Sequence, residues 1–286
     1  MQVRLLVLAL LAASAFAAPC TLRHPAVPGD TLPKLATFYY GSPDFAPAIL
    51  IGTNSRVSPE LPYISNPFNL RKGDLCIPDT TEAEQSRATY AIYRKAIAAT
   101  STNQPAQEIY DLVVIPANQP VTVATWTRAD QVAKYKDKAP NDIWVTVEPH
   151  LKEFCTPYAR DHSNLTERLE QRLGLPPAAG ETTFVRLRTQ KIFRPCSDPA
   201  TTVAHCEAGP PSATDPAYTA WFTGQYYSAF GLPGPNLFPW TALGYTFDWA
   251  QGDDGEFKRF GESEFVIPKG TTIEFLGATT TEDYCR

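Results

Sequence analysis

The sequence predicts an α+β protein: a small β-α-α-β module followed by a larger mixed α+β domain with antiparallel strands. Three observations carry this. Twenty-seven prolines against one methionine favour short elements and exclude a long helical bundle or coiled coil. Near the N-terminus, two short stretches with helical spacing lie between two strand-like segments. Beyond residue 108, β-branched and aromatic runs mix irregularly with helical stretches, which fits α+β better than regular βαβ alternation. The 286 residues, 43% hydrophobic and 19% charged, suffice for one large or two ordinary domains.

Residues 1–17 read as a secretory signal peptide. Arg4 supplies the positive start, Leu5 to Leu11 the apolar run and Ala15-Phe16-Ala17 a small-x-small cleavage site. That run is too short to span a bilayer, and no other stretch is long enough, so no membrane span is expected. The expected location is secreted, periplasmic or cell-envelope associated.

Residues 18–79 form the first module. Leu22 to Val27 reads as a weak strand. Pro28-Gly29-Asp30-Thr31 is a turn whose Thr31 hydroxyl can cap a helix. Leu32, Leu35, Ala36 and Tyr39 recur at helical spacing until Gly41, with Pro33 tolerated in the first turn. A second helix starts near Asp44, carries Ile49, Leu50 and Ile51 into a core, and closes at Gly52-Thr53-Asn54. Asp74-Leu75-Cys76-Ile77-Pro78 returns as a strand.

Val27-Pro28-Gly29-Asp30-Thr31-Leu32, Asn54 and Leu70-Arg71-Lys72-Gly73-Asp74-Leu75-Cys76-Ile77-Pro78 together resemble a LysM domain, over roughly 60 residues. The resemblance implies a β-α-α-β fold that binds N-acetylglucosamine-containing glycans, peptidoglycan or chitin. It also implies a sugar groove between Gly29, Asp30, Thr31 and Leu32 on one side and Ile51, Gly52, Thr53 and Asn54 on the other. The connection from Arg56 to Phe68 is longer than usual for the family and would cover or extend that groove.

A helical linker is expected over 80–107. Thr81 and Glu84 are spaced as a capping box, and Tyr90, Tyr93 and Ile97 share a helical face. The polar stretch with Pro105 ends it. The remainder, 108–286, is read as an α+β domain of unassigned activity. Strands are expected at Ile109 to Ile115, Val121 to Trp126, Ile143 to Val147, Phe184 to Arg188, Leu243 to Phe247, Glu264 to Ile267 and Thr272 to Leu276. Helices are expected at Arg128 to Lys136, Asn164 to Leu173 and Ala217 to Phe230.

Six cysteines, Cys20, Cys76, Cys155, Cys196, Cys206 and Cys285, form an even set in an exported chain and point to disulfides. Cys20 with Cys76 brackets the first module, Cys196 with Cys206 encloses a short Pro-rich loop, and Cys155 with Cys285 follows by elimination. No C-x-x-C pair is present, so no metal site is expected.

The net charge of −5, about −6 without Arg4, gives no basic surface for nucleic acid. Gly-x-Ser-x-Gly, His-Glu-x-x-His and Gly-x-Gly-x-x-Gly motifs are absent. Glu167 and Glu170 fit an exposed helix turn, and Asp248, Asp253 and Asp254 a solvated acidic loop. The aromatic cluster from Trp221 to Trp249 fits a core and its rim, with sugar stacking as the alternative.

One constellation bears on catalysis. Glu262-Ser263-Glu264 before Pro268-Lys269-Gly270 resembles the Glu-x-Glu strand and turn of ADP-ribosyltransferases. That resemblance implies that Glu264 steadies an oxocarbenium derived from NAD and that Glu262 orients the acceptor. The competing reading is acidic residues on the wet face of an edge strand. Two functions follow: an exported glycan-binding protein without cofactor, and a wall-tethered enzyme, a hydrolase or an ADP-ribosyltransferase-like protein, which alone would use NAD.

Overall fold

A computed structural model describes residues 20–102, 104–161, 164–212, 215–231 and 237–286; the signal peptide expected at 1–17 lies outside them. Among the described residues the fold is mixed α and β with antiparallel sheets. No described helix is long and apolar enough to cross a membrane.

The first four elements are β1 (Leu22–Pro25), α1 (Leu32–Tyr40), α2 (Ala46–Asn54) and β2 (Asp74–Ile77), with β1 antiparallel to β2. Thr31 caps α1 by accepting from the Lys34 N–H, and Gly41 closes it at φ 78°, a left-handed conformation that glycine adopts without a Cβ clash. Pro43–Phe45 forms a 3₁₀ turn that leads into α2. Leu32, Leu35, Ile49, Ile64, Leu75 and Ile77 make the core. A module of this size buries little surface, and the Cys20–Cys76 disulfide staples its first strand to its last.

The helix α3 (Thr80–Thr100) is capped by Asp79, which accepts from Glu82 N–H at 2.9 Å. Thr81, the expected cap, is already helical. The helix packs on both neighbours: Arg56 of the module reaches Glu82 at 2.8 Å, while Tyr93, Ala96 and Ile97 bury against Phe247 and Trp249.

The second sheet is built from β3 (Val121–Thr127), β4 (Ile143–Val147), β5 (Thr183–Thr189), β6 (Tyr245–Gln251), β7 (Phe257–Ile267) and β8 (Glu274–Thr280), in the order β6-β7-β4-β3-β5-β8, every pair antiparallel. One face carries Val123, Val145, Val185, Leu187, Phe265 and Ile267. The other carries Ala124, Trp126 and Phe184 beneath Leu151, Cys155 and Leu169 of α4 (His150–Asp161) and α5 (Leu165–Arg172). The helix α6 (Pro216–Phe230) packs Tyr218 and Phe222 on Trp240. Cys155–Cys285 ties α4 to the segment after the short α7 (Thr281–Tyr284), and Cys196–Cys206 lies beside Leu112, Leu243 and Tyr245. All three expected pairings form, and they fit an oxidising compartment.

Several expectations are corrected. Ile109 to Ile115 is extended chain, not strand, bonded through Leu112 N–H to Ala204 O and Ile115 N–H to Thr201 O. The segment expected as a helix from Arg128 holds a 3₁₀ turn, Ala129–Lys134. Asp248 is not a loop residue: it is fully buried on β6, where Arg168 holds it with two charge-assisted bonds at 3.0 and 2.5 Å. Glu170 is buried rather than exposed. Glu262 and Glu264 do not lie on a wet edge, because β7 is flanked by β6 and β4 and both side chains are buried.

Candidate functional site

A cavity of about 500 Å³ opens between the first module and the second sheet. Its floor comes from strand register. Thr146 on β4 lies directly opposite Glu264 on β7, so the two side chains share one face, and Trp144 projects two residues along on that face. Trp240 bridges to Thr246 of β6 and meets Trp144 edge to face at 6.4 Å. Trp126, Phe238 and Phe247 complete the apolar lining on this side.

The module supplies the opposite wall through Leu50, Asn54, Tyr63, Ile64, Ser65 and Pro67, and α3 adds Tyr90 and Tyr93. Tyr63 anchors the contact. The Arg128 guanidinium lies 4.4 Å from its ring centroid, and Gly180 lets the ring approach: a Cβ there would stand 2.9 Å from a ring carbon. The remaining wall is the loop after α5, which Glu170 fixes by accepting from the N–H groups of Ala178 and Ala179 at 3.1 and 2.8 Å.

Four residues of the lining carry a buried polar atom without a hydrogen-bond partner: Thr146 Oγ1, Glu181 Oε2, Trp240 Nε1 and Glu264 Oε1. Buried polar groups are normally paired with protein or ordered water, so four in one cavity leave it with hydrogen-bonding capacity that water or a ligand can fill. Burial pushes the Glu264 carboxyl up to about 8, against the opposing influence of the Arg194 charge. The Trp240 side chain also favours the charged form of that carboxyl, after the Arg194 charge. Burial also pushes Glu181 up to about 7 and Glu170 up to about 8. At neutral pH the floor is therefore close to uncharged, although it is built from an acid.

The expected groove residues have definite places. Gly29 sits in open space at φ 93°. Asp30 accepts from Val27 N–H at 2.9 Å, a bond that holds its carboxyl below the usual range, and lies 3.2 Å from His24 Nε2. Thr31 caps α1, and Leu32 is fully buried with its N–H bonded to Pro67 O. On the other side Ile51 is half-buried, Gly52 packs against Pro78, and Thr53 accepts from Cys76 N–H at 2.9 Å. Asn54 pairs both ways with the Ile64 backbone, at 2.8 and 3.1 Å. The strip from Ile64 to Pro67 thus runs from Asn54 to Leu32. Asn54 alone of the eight residues lines the cavity, together with part of the long connection.

The two carboxylates of the Glu-x-Glu pair separate. Glu264 faces the cavity. Glu262 is held by Arg172 Nε at 2.7 Å in the network that includes Asp248 and is not part of the lining. Among the described residues, no group of three or more His, Cys, Asp or Glu side chains is placed to hold a metal ion. Sequence reasoning missed Thr146, Glu181 and Tyr63. For Thr146 a signal existed: Ile143, Val145 and Val147 alternate with Trp144 and Thr146, so a polar residue lay on the second face of a strand too apolar to be wet. Glu181 and Tyr63 sit in loops and gave none.

Comparison of the chain with protein-family models, with curated proteins and with solved structures finds no match.

Proposed function

We propose that this chain is an exported glycan-binding protein that takes part of an N-acetylglucosamine-containing glycan, from peptidoglycan or chitin, into the cavity between the LysM-like module and the α+β domain. The observation that carries the reading is the cavity itself, with aromatic walls and four unpartnered polar atoms. Aromatic faces cover the C–H faces of a sugar ring, and a few placed polar groups fix its orientation. Its volume lies within the usual range for small-molecule sites. The module's part in the wall, Leu50, Asn54 and the strip from Tyr63 to Pro67, supports reading the long connection as an extension of the expected groove.

The test is calorimetric titration of the full-length oxidised protein with chitooligosaccharides and with soluble peptidoglycan fragments. Binding that weakens at least tenfold in Trp240→Ala, with Phe38→Ala on the exposed face of α1 unaffected, supports the reading. No heat with either ligand, together with no retention on the insoluble polymers, overturns it.

The enzyme alternative keeps one supporting observation, the placement of Glu264 in the cavity. A carboxyl pushed up to about 8 suits a general acid better than an anion that steadies a cation. This favours a hydrolase over the transferase, whose second carboxylate, Glu262, is engaged by Arg172. Incubation with NAD and with chitooligosaccharides separates the two activities from simple binding.

A further inference from the structure

Resting on the reading of the cavity as the ligand site, we infer that its floor, Glu264 with Thr146 and Trp240, recognises a neutral carboxamide carried on a ring. The chemistry follows from what each group lacks. Trp240 Nε1 can only donate, and it makes no full hydrogen bond, although it interacts with the Glu264 carboxyl. Glu264 Oε1 has no partner either; a protonated carboxyl both donates and accepts. Thr146 Oγ1, also unpartnered, does both as well. A carboxamide presents the complement: its carbonyl accepts from the indole N–H or the carboxyl O–H, and its N–H donates to the carboxyl oxygen or the hydroxyl. A sugar hydroxyl can donate once and accept twice, but only at a single oxygen. A carboxamide presents its acceptor and its donor on separate atoms, and the aromatic side chains around the floor receive the ring that bears it.

Charge points the same way. The titratable groups around Glu264 are Arg194, which packs across the Phe265 ring at 4.6 Å, Tyr245 on β6, and Asp142, Glu181, Tyr63, Tyr90, Tyr93 and Tyr135 around the cavity. Arg194 donates to the carbonyls of Val113, Val203 and Gly244 rather than to Glu264. Asp142 accepts from Trp221 Nε1 and Lys269 N–H. No cation therefore neutralises the Glu264 carboxylate by contact, and it stays protonated up to about pH 8. A cationic ligand has no counter-ion on the floor, and an anionic one finds no cation there.

Two sources carry this chemistry, an acetamido sugar and an aromatic carboxamide. The experiment titrates the full-length oxidised protein with N,N′-diacetylchitobiose, cellobiose and nicotinamide at pH 7 and pH 9, in the parent and in Glu264→Gln and Glu264→Leu, each first checked for a native thermal transition. The expected result is that a carboxamide ligand binds at pH 7 and weakens about tenfold at pH 9, as the protonated fraction falls. Glu264→Gln keeps a donor and an acceptor, so it should bind within about threefold of the parent at pH 7 and weaken clearly less than the parent at pH 9, where Glu181 of the same wall also titrates. Glu264→Leu should lose at least tenfold at pH 7. Binding of diacetylchitobiose without nicotinamide assigns the acetamido sugar. Binding of nicotinamide without the sugar upholds the carboxamide and overturns the glycan reading. Equal binding of cellobiose and diacetylchitobiose, or a pH response as large in Glu264→Gln as in the parent, overturns the carboxamide and leaves glycan binding standing. Binding of none of the three overturns both.

Discussion

Replacing Glu264 by Gln should make the protein more stable, and by an amount that depends on pH. The carboxyl titrates near 4.5 when unperturbed and near 8 in the folded protein. Between those values the native state holds a proton that the unfolded chain has released, so stability falls as pH rises, by about 1.4 kcal/mol per pH unit for this group. The loss is absent below about pH 4.5, on the order of 3 kcal/mol at pH 7 and on the order of 5 kcal/mol above pH 8. Glutamine has the same shape and cannot ionise, so Glu264→Gln should match the parent within about 1 kcal/mol at pH 5 and exceed it by about 3–5 kcal/mol at pH 8. Glu170 and Glu181 are raised in the same direction and keep a pH slope in the variant, so the observable is the difference between the two proteins. Urea unfolding followed by tryptophan fluorescence at pH 5, 7 and 8 measures it. Parallel loss of stability in both proteins across that range would show that Glu264 is not the buried, protonated acid described above.

Other predictions follow from the packing. Arg168→Met should cost about 3–5 kcal/mol by leaving Asp248 buried and poorly compensated; Arg168→Met with Asp248→Leu should recover much of that in chemical denaturation, and a double variant no more stable than the single would contradict the pairing. Gly261→Ala places a Cβ 2.4 Å from Thr246 O and 2.5 Å from Arg172 O, both backbone atoms, so a loss of at least about 1–3 kcal/mol is expected; an unchanged melting temperature would exclude so close a contact. Removing Cys155–Cys285 by paired Ala substitution opens a separation of 130 residues and should cost about 4–5 kcal/mol if chain entropy dominates, measured by urea unfolding. Thiol labelling of the unfolded, unreduced protein should find none of the six cysteines reactive, and labelling of two or more would break the disulfide framework.

The sequence was most legible where a local rule decided the structure. Thr31 and Gly41 bound α1 because a hydroxyl cap and a left-handed glycine act within a few residues. The cysteine pairs followed from bracketing, loop composition and elimination. The helix α4 went unread because Pro157 lies inside it, which breaks the helical pattern although only one N–H is lost. Ile109 to Ile115 has the composition of a strand, but its partners near Thr201 and Ala204 offer two bonds rather than a ladder. The site was least legible. Glu170, Asp248, Glu262 and Glu264 are carboxylates that composition places on a surface; what buries them is distant in sequence, as in Arg168 to Asp248 across 80 residues. Glu262 and Glu264 do lie on one strand, β7, but the two glutamates have different surroundings.

The cavity as the ligand site is tested most directly by a crystal structure of the full-length protein soaked with N,N′-diacetylchitobiose. The expected density is a sugar ring between Tyr63 and Trp240, with its acetamide within hydrogen-bond distance of Glu264, Thr146 or the Trp240 indole N–H. A sugar bound only outside the cavity, at the turn from Gly29 to Leu32, with the cavity unchanged, would contradict the account.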